Sequence, residues 1–585
     1  MRKTKIVATI GPATSELEIM KKLIKAGINT ARINFSHGTH ESHAEIVSKL
    51  KMAREELTAP IALMLDTKGP EIRTKGFEAG SVTLKAGNKF ILTTDDVLGD
   101  INKASVTYPD FVKDISVGSK ILLDDGLIEL KVTAIDGTNV ETTIKNDGEL
   151  GSNKGINLPD TKVNLPSLTE KDIEDIKFGI AMGFDLIAAS FVRSAKDVLE
   201  IRSILEENEG SHIQIIAKIE NREGVENLEE ILEVSDGVMV ARGDLGVEIP
   251  PEEVPLIQKK IIKQCNAIGK PVITATQMLE SMTDNPRPTR AEANDVANAI
   301  FDGTDAVMLS GETAKGSYPV EAVRMMDRIA IKTEGGFDYS AALTERYSQN
   351  VVNVTNSVTY AACTTAASLN AACIVAVSRS GFTAKMVAKY RPNSTILVAT
   401  SSEINWRQMN LVWGCQPVMI AQYNHDDDLY EASSKCAMQS GLANNGDIIV
   451  IVAGVPVGIT GTTNLIKAHI VGNVLAKGRA IGKGSIVGKI SVIKPSEHNI
   501  RPFQTGDILV AAKTDDSMMP YIRKAKALIV GSDQKIDNTH AEIACKALNI
   551  PIIICNERVI SLIHPGITVT IDCNKGFVYN GVITN

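Results

Sequence analysis

Residues 213–248 read IQIIAKIENREGVENLEEILEVSDGVMVARGDLGVE. The two ends of this stretch are apolar and rich in β-branched residues, and the middle has the apolar spacing of a helix. A short helical crossover joins parallel neighbouring strands, so the carboxyl ends of both strands should meet at one edge of a sheet. Lys218, Glu220 and Asp244 follow or end these apolar runs, and we expect them to converge at that edge.

These three side chains have two interpretations. Two carboxylates and one ammonium suit a divalent cation such as Mg²⁺ beside an anionic ligand. The other interpretation is a buried salt bridge between Lys218 and Glu220, with Asp244 capping the following helix. This stretch alone leaves both open.

The apolar and helical patterns alternate eight times along the chain. Eight such units predict a (β/α)₈ barrel, whose active site lies at the carboxyl ends of the strands. A doubly wound open sheet is the alternative, because periodicity does not show whether a sheet closes. Capping boxes predict two helix starts, at Ser15 with Glu18 and at Ser167 with Glu170. The predicted barrel strands begin near residues 5, 30, 61, 186, 213, 237, 271 and 306.

Polar clusters follow the second and third predicted strands as well. An oxygen-rich set with one negative charge suits a monovalent cation better than a second Mg²⁺. Arg32 and Arg73 have the forked geometry that grips phosphate oxygens. No GxxxxGK[ST] motif occurs, so a nucleotide would not be held by a P-loop. The oxygen-bearing residues are Asn34, Ser36, Asp66 and Thr67.

The composition is that of a globular protein with several domains. A chain of 585 residues is too long for one core, and its net charge of −8 argues against general nucleic-acid binding. No apolar run approaches about 18 residues and no signal-peptide pattern is present, so the expectation is a cytoplasmic protein without a membrane partner. The eight cysteines lie in apolar runs without a CxxC pair, which predicts buried reduced thiols.

Changes in pattern divide the chain. From about Gly76 alternating segments with Asp-Gly turns predict an inserted all-β region. A new α/β region begins near Ser340, and a region with β-branched strands begins near Val474. The predicted limits are 1–70 and 167–339 for the barrel, 71–166 for the insertion, 340–473 for the α/β region and 474–585 for the last region.

Three features lie in the last two regions. The segment SRSGFTAK, residues 378–385, predicts a turn leading into a helix, which is the geometry of a phosphate site. The glycine-rich loop at 453–464 could face it, although both loops could equally be turns that only reverse the chain. His540 stands near a predicted helix start, where a histidine is more often structural than catalytic.

Long motifs along the first 473 residues resemble the pyruvate kinase family. The resemblance implies a (β/α)₈ domain interrupted by a β-barrel lid domain, then an α/β domain that binds effectors, usually in a homotetramer. It implies the transfer of phosphate from phosphoenolpyruvate to ADP, giving pyruvate and ATP. The motifs are ARINFSHG (31–38), LDTKGPEIRT (65–74), KGINLP (154–159), KIEN (218–221), MVARGDLGVE (239–248) and ATQMLESM (275–282).

The resemblance also implies roles for individual residues. Lys218 would neutralise the phosphoryl group in flight, and Thr276 would lie near the enolate carbon that must be protonated. Family members with lysine at the position of Glu71 resemble K⁺-independent enzymes, so glutamate here predicts K⁺ activation. The implied Mg²⁺ ligands are Glu220 and Asp244, and the K⁺ ligands are Asn34, Ser36, Asp66 and Thr67. Phosphoenolpyruvate would contact Arg32, Gly243, Asp244 and Thr276, and the nucleotide would face Asn34, Phe35, Ser36, His37, Arg73 and Lys154.

For the last two regions the resemblance implies an effector site and an additional domain. The loop SRSGFTAK (378–385) resembles the family's effector-phosphate loop, and the resemblance implies that the phosphate would be bound by Ser378, Ser380, Gly381 and Thr383. Residues from about 474 resemble the mobile phosphohistidine domain of phosphoenolpyruvate-utilising enzymes, with the TSHAA motif changed to NTHAE around His540. The changed neighbours favour a structural or regulatory role over phosphoryl relay.

A different enzyme class fits some of the same residues. A barrel lyase or aldolase could cleave a C–C bond through a pyruvate enolate held on Mg²⁺ by Glu220 and Asp244. Such an enzyme gives no role to Lys154, to the lid or to the pair of Arg32 and Arg73, and this is what discriminates the two interpretations.

Overall fold

The computed structural model describes the chain with short gaps. The described ranges are 1–348, 351–421, 426–455, 462–472, 474–493, 502–531, 540–556 and 563–583. Two compact units are present: Met1–Cys363 with Ala376–Ala421 and Ala453–Leu465, and Thr364–Val375 with Gln422–Val452 and Ile466–Asn585.

Eight parallel strands close into a barrel in the first unit. The ring closes where the first strand pairs with the eighth, with Lys5 opposite Ala306. This closure confirms the predicted (β/α)₈ barrel and excludes the open sheet. The strands are Lys5–Thr9, Thr30–Asn34, Ala62–Asp66, Leu186–Ala189, Gln214–Ile219, Gly237–Ala241, Val272–Ala275 and Ala306–Leu309.

Every barrel strand is buried along most of its length because helices cover the outside and side chains fill the inside. Val7, Met64, Ile216 and Met239 belong to the apolar cluster inside the ring. The helices of this domain are Leu17–Ala26, His40–Leu57, Glu170–Ala181, Ala195–Glu207, Arg222–Glu226, Leu228–Val234, Arg242–Glu248, Val254–Ile268, Arg290–Asp302, Gly311–Ala314, Pro319–Glu334 and Tyr339–Ser348.

Both predicted capping boxes are wrong. The first helix begins at Leu17, and its N-cap residue Glu16 makes no side-chain cap. The helix after the insertion is capped by Thr169 with Asp172, two residues beyond the predicted Ser167. The hydroxyl of Ser167 donates instead to Asp197, at 2.7 Å. Sequence spacing cannot distinguish a capping serine from one that a neighbouring helix engages.

The insertion is all-β apart from the short helix Phe111–Asp114, as predicted. Its strands form a six-stranded sheet and a two-stranded sheet around one apolar core. Hydrogen bonding does not close these strands into a single ring, and isolated bridges such as Thr74 to Val106 lie outside the named strands. The strands are Ser81–Leu84, Lys89–Thr93, Lys103–Ser105, Lys120–Leu123, Ile128–Asp136, Asn139–Ile144, Gly148–Gly151 and Ile156–Asn157.

The next region alternates helices and strands, as predicted. Its strand Thr395–Thr400 pairs in parallel with Cys415–Met419. The remaining strands are Cys373–Val377, Ile448–Ala453 and Leu465–Ile470, and the helices are Val354–Ser368, Phe382–Ala388, Glu403–Gln408 and Asp426–Gln439.

The last region contains a second closed barrel, which mixes parallel and antiparallel pairs. Its core is built from β-branched residues such as Ile490, Val510 and Ile529. The strands are Val474–Ile481, Ser485–Val492, Ile508–Ala511, Ala527–Gly531, Ile552–Cys555, Thr568–Asp572 and Phe577–Asn580, with helices Met519–Ile522 and His540–Leu548.

Two further expectations concern the whole chain. All eight cysteines are buried free thiols, which confirms the prediction. Across the residues that the structure describes, no helix has the length and apolar character needed to cross a membrane.

Candidate active site

The residues singled out on the barrel lie at the carboxyl ends of its strands. The fifth and sixth strands pair in parallel, with Ile219 opposite Val240, so the residues that follow both strands emerge at the same edge. Glu220 directly follows the fifth strand, and Asp244 lies in the first turn of the helix Arg242–Glu248. The edge predicted from the sequence is therefore formed.

Lys218 is the centre of this edge. Its Nζ lies 2.9 Å from Glu220 Oε1 and 3.1 Å from Asp66 Oδ1. The residue is 9% exposed, and burial alone would lower its pKa. The neighbouring carboxylates, Asp66 foremost and then Glu220, outweigh burial and raise the pKa of Lys218 above its ordinary value. The side chain is therefore a buried, permanently charged ammonium.

Glu220 is a buried carboxylate whose ionised form is disfavoured by burial. It is 1% exposed, and its Oε2 accepts a hydrogen bond from the Phe191 backbone N–H at 2.5 Å. Burial raises the pKa of Glu220 to about 7, although Lys218 acts in the opposite direction. The predicted salt bridge between Lys218 and Glu220 is therefore present. Burial nevertheless disfavours the ionised form of Glu220, and a bound cation would stabilise that form.

Asp66 joins the second and third strands to this centre. Its Oδ2 lies 2.5 Å from Arg32 Nε, and its Oδ1 contacts Lys218. Burial opposes ionisation, but Arg32 and Lys218 hold the pKa of Asp66 below its usual value. Arg32 also donates from its Nη1 to Thr9 Oγ1, at 2.8 Å. Arg32 is consequently fixed in place by one carboxylate and one hydroxyl.

The oxygen atoms of the predicted K⁺ set are partly brought together. Asn34 pairs with Asp66 in the strand register, and its Oδ1 accepts from the Ser36 backbone N–H at 3.1 Å. The hydroxyl of Thr67 accepts from the Ser190 N–H at 3.0 Å. Asp66 and Thr67 are buried, whereas Asn34 and Ser36 are partly exposed.

Ser190 belongs to the site and was missed from the sequence. Its hydroxyl accepts from Lys218 Nζ at 2.7 Å and donates to the Thr67 carbonyl at 2.6 Å. It directly follows the buried strand Leu186–Ala189. The same strand-end rule that selected Lys218 and Asp66 would have found it.

Phe35 and His37 differ in where their side chains point. The Phe35 side chain is 1% exposed and packs on His43, with ring centroids 4.2 Å apart. Its ring is therefore in the core and does not face the site. His37 is exposed.

Thr276 and Gly243 lie beside each other at the ends of the sixth and seventh strands. The Gly243 backbone N–H donates to Thr276 Oγ1 at 2.8 Å, and Oγ1 itself donates to the Ala275 carbonyl at 2.6 Å. Thr276 has φ 65, which is rare for a β-branched residue. Thr276 and Gly243 therefore form the part of the site that the sixth and seventh strands contribute.

A cavity of about 430 Å³ lies between the barrel edge and the lid. Arg73 and Lys154, both predicted to face a nucleotide, line it together with Asp244. Each cation already has a carboxylate partner: Arg73 Nε lies 2.7 Å from Glu71, and Lys154 Nζ lies 2.9 Å from Asp124. These two cations therefore belong to the wall of this cavity.

The donor set favours hard, oxygen-binding cations. The described residues contain no cluster of three or more His, Cys, Asp or Glu side chains arranged to hold a metal. Mg²⁺ commonly takes only one or two protein carboxylates and keeps water and ligand oxygens, so Glu220 with the exposed Asp244 fits it. A soft metal such as Zn²⁺ would need Cys or His ligands.

The predicted effector residues lie around a turn. Gly381 has φ 80 and precedes the helix Phe382–Ala388. Thr383 is 3% exposed, and its hydroxyl bonds to Thr463 Oγ1 at 2.9 Å, so that hydroxyl already has a partner. Ser378 is partly exposed and Ser380 is exposed. Residues 456–461 of the facing glycine-rich loop lie outside the described residues.

His540 is held by two side chains. Its Nδ1 lies 3.0 Å from Thr514 Oγ1 and its Nε2 lies 3.2 Å from Asp516 Oδ1. Glu542, one of the altered motif positions, is buried and pairs with Arg479 and Lys546. The motif residues before His540, within 532–539, lie outside the described residues.

Comparison with known proteins covers the whole chain. Residues 1–323 match the family model of the pyruvate kinase barrel domain, and residues 356–469 match that of the pyruvate kinase alpha/beta domain. Residues 503–576 match the mobile domain of PEP-utilising enzymes. A pyruvate kinase of Geobacillus stearothermophilus is 52% identical over 582 residues, and one of Sporosarcina psychrophila is 49% identical over 583 residues. In both cases 99% of each chain is covered.

Proposed function

The chain belongs to the pyruvate kinase family, and on that premise we propose that it transfers the phosphoryl group of phosphoenolpyruvate to ADP in a reaction that requires Mg²⁺ and K⁺. The products are pyruvate and ATP, as in the final step of glycolysis. The observation that carries this proposal is the buried ammonium of Lys218 between the carboxylates of Asp66 and Glu220, at the carboxyl edge of the barrel.

Charge neutralisation and positioning supply most of the catalysis in phosphoryl transfer. Lys218 presents a fixed positive charge where negative charge develops on the phosphoryl oxygens as the bond to the enolate oxygen breaks. Arg32, held by Asp66 and Thr9, would grip the phosphate of phosphoenolpyruvate in forked geometry. The residues are preorganised, so little reorganisation is needed when the charge moves.

The two cations have distinct candidate ligands. Glu220 and Asp244 would hold Mg²⁺, and Asn34, Ser36, Asp66 and Thr67 would hold K⁺. When bound, Mg²⁺ acts as a Lewis acid toward phosphate and carboxylate oxygens and K⁺ adds positive charge. The protein's own contribution is to keep Glu220 buried and oriented by the Phe191 N–H.

The second half of the reaction protonates the enolate carbon. Thr276 would lie near that carbon, while the Gly243 N–H, which now bonds to Thr276, would contact the substrate. Arg73 and Lys154 line the cavity between barrel and lid and would bind the phosphates of the nucleotide. Their present carboxylate partners, Glu71 and Asp124, would be exchanged for phosphate oxygens.

The lyase or aldolase interpretation is not favoured. Such an enzyme gives no role to Arg73 and Lys154 in the cavity between the barrel and the lid, and the matched relatives, which are similar over 99% of their length, are named pyruvate kinase. The direct test is a coupled assay of pyruvate formation with phosphoenolpyruvate, ADP, Mg²⁺ and K⁺. No pyruvate formation under these conditions would refute the proposed function.

Activation by K⁺ is the first testable consequence. The position that carries lysine in K⁺-independent members of the family holds Glu71 here, and its carboxylate is paired with Arg73. We expect most of the activity to be lost in buffer free of K⁺, Na⁺ and ammonium. KCl should restore it, and tetramethylammonium chloride at the same ionic strength should not. Full activity without any of these monovalent cations would contradict the K⁺ site.

The C-terminal domain is proposed to be structural or regulatory. Both ring nitrogens of His540 are engaged, and the Asp516 carboxylate beside Nε2 would repel an incoming phosphoryl group. We expect no phosphate on His540 after incubation of the full chain with phosphoenolpyruvate, as read by mass spectrometry at alkaline pH. The control is a His540→Asn variant, which should keep the kinase activity. A phosphohistidine at 540 would refute this role.

Three broader properties complete the proposal. The family resemblance supports a cytoplasmic homotetramer that is activated by a phosphorylated metabolite. The turn at Ser378, Ser380, Gly381 and Thr383 is the candidate effector site. Its support is the exposed Ser380 and the left-handed Gly381 ahead of a helix, while Thr383 would first have to leave Thr463.

A further inference from the structure

Two consecutive residues at the end of the seventh barrel strand adopt left-handed backbone conformations. Thr276 has φ 65 and Gln277 has φ 53. A β-branched residue seldom adopts this conformation, because its Cβ substituents crowd the backbone. Such a conformation persists only where surrounding contacts over-determine it. The contacts that hold Thr276 are therefore informative.

The guanidinium of Arg242 makes two contacts with the backbone of this turn. Its Nη2 donates to the Thr276 carbonyl at 2.7 Å, and its Nε donates to the Ala275 carbonyl at 3.3 Å. Arg242 follows Ala241, which pairs with Ala275 in the strand register, so it stands directly beside the turn. One planar side chain thus binds two successive carbonyl groups, that of Ala275 before Thr276 and that of Thr276 itself.

A carboxylate orients the guanidinium. Asp295 lies 2.7 Å from Arg242 Nη1, and the Arg242 side chain is 10% exposed. The Asp295 side chain is 39% exposed, and its partner is Arg242 Nη1, the guanidinium nitrogen that does not bind the turn. The ion pair and the two carbonyl contacts are therefore separable by mutation.

We propose that Arg242 is a positioning residue, which holds the hydroxyl of Thr276 and the N–H of Gly243 in register with the substrate by clamping the carbonyls of Ala275 and Thr276. The inference rests on the proposed function, because it assigns no new chemistry to Arg242. Release of the clamp would let Thr276 relax to an ordinary conformation and displace its hydroxyl. A displacement of about 1 Å at a reacting group costs on the order of 10²-fold in rate.

The main variant is Arg242→Lys, which keeps the positive charge but replaces the planar fork by a single ammonium that cannot bind both carbonyls in this geometry. We expect kcat to fall by on the order of 10²-fold with the KM for ADP unchanged. Asp295→Asn retains the two carbonyl contacts, and we expect a much smaller loss of kcat.

Arg202 provides a matched control. Its Nη2 lies 2.6 Å from Asp236 and its Nη1 donates to the Ile213 carbonyl at 3.2 Å, so it has the same kinds of partner as Arg242. Both partners precede their strands, which places Arg202 at the opposite end of the barrel from the site. Arg202→Lys should leave kcat unchanged, and thermal unfolding of both variants shows whether either has lost its fold.

A double-mutant cycle tests whether Arg242 acts through Thr276. If it does, Arg242→Lys should cost little further activity in a Thr276→Ala background. If the two losses multiply in the double variant, Arg242 acts independently of Thr276 and the proposal is overturned. A wild-type kcat in Arg242→Lys would overturn it as well. An inactive wild-type protein in the coupled assay would instead refute the proposed function, so the two failures are distinguishable.

Discussion

Replacing Lys218 with methionine is expected to lower kcat by on the order of 10²- to 10³-fold, with a modest effect on the KM for phosphoenolpyruvate. The ammonium is buried between Asp66 and Glu220 and acts on charge that develops during transfer. An interaction stronger in the transition state than in the ground state affects kcat rather than binding. Steady-state kinetics with varied phosphoenolpyruvate measure both constants.

Lys5 is the matched control for this substitution. It is a buried lysine at the beginning of the first barrel strand, 6% exposed, and its Nζ donates to the Cys415 carbonyl. Lys5→Met removes an ammonium of similar burial at the other end of the barrel and should change stability without changing kcat. A near-wild-type kcat in Lys218→Met would remove Lys218 from its assigned role.

Replacing Glu220 with glutamine is expected to weaken activation by Mg²⁺. Groups that merely orient a metal ligand typically account for about 10- to 100-fold in affinity or activity, and loss of a direct carboxylate ligand should cost more. Glutamine keeps the shape and can still accept from the Phe191 N–H, so the change isolates the negative charge. Initial rates as a function of Mg²⁺ concentration give the apparent affinity.

Glu334 is the matched control for Glu220. It is 7% exposed, and its carboxylate accepts from the backbone N–H groups of Lys3 and Thr4 at the amino-terminal end of the first strand. Glu334→Gln should leave the Mg²⁺ dependence unchanged. An unaltered Mg²⁺ titration in Glu220→Gln would show that this carboxylate does not hold the ion and would favour a purely structural salt bridge with Lys218.

Much of the candidate site follows from one rule about parallel strands. Polar residues within or just after the end of an apolar strand identified Arg32, Asp66, Lys218 and Glu220, and the structure brings all four together. Ser190 obeys the same rule and was missed, because a single serine does not interrupt an apolar pattern as a charge does. Arg242 also directly follows an apolar strand, yet nothing in its spacing indicated a role at Thr276.

Local patterns were less reliable where several side chains compete for one partner. Ser15 and Ser167 match the spacing of capping boxes, but Glu16 and Thr169 are the N-cap residues. Phe35 belongs to a motif that faces the site, and its ring packs into the core against His43. For Ser167 the outcome depends on Asp197, and for Phe35 it depends on Phe178 and Phe184 as well as His43, and a local pattern does not show these partners.

The sequence by itself determined the order of strands and helices and the edge at which the charged residues emerge, because alternation of apolar runs and parallel pairing follow from local chemistry. Only the tertiary structure decided that the sheet closes, since closure depends on the first strand meeting the eighth. It also decided the charge state of the site. Lys218 and Asp66 are 152 residues apart in the chain, and the contact of the ammonium with this carboxylate and with Glu220 outweighs the opposing effect of burial and keeps Lys218 charged.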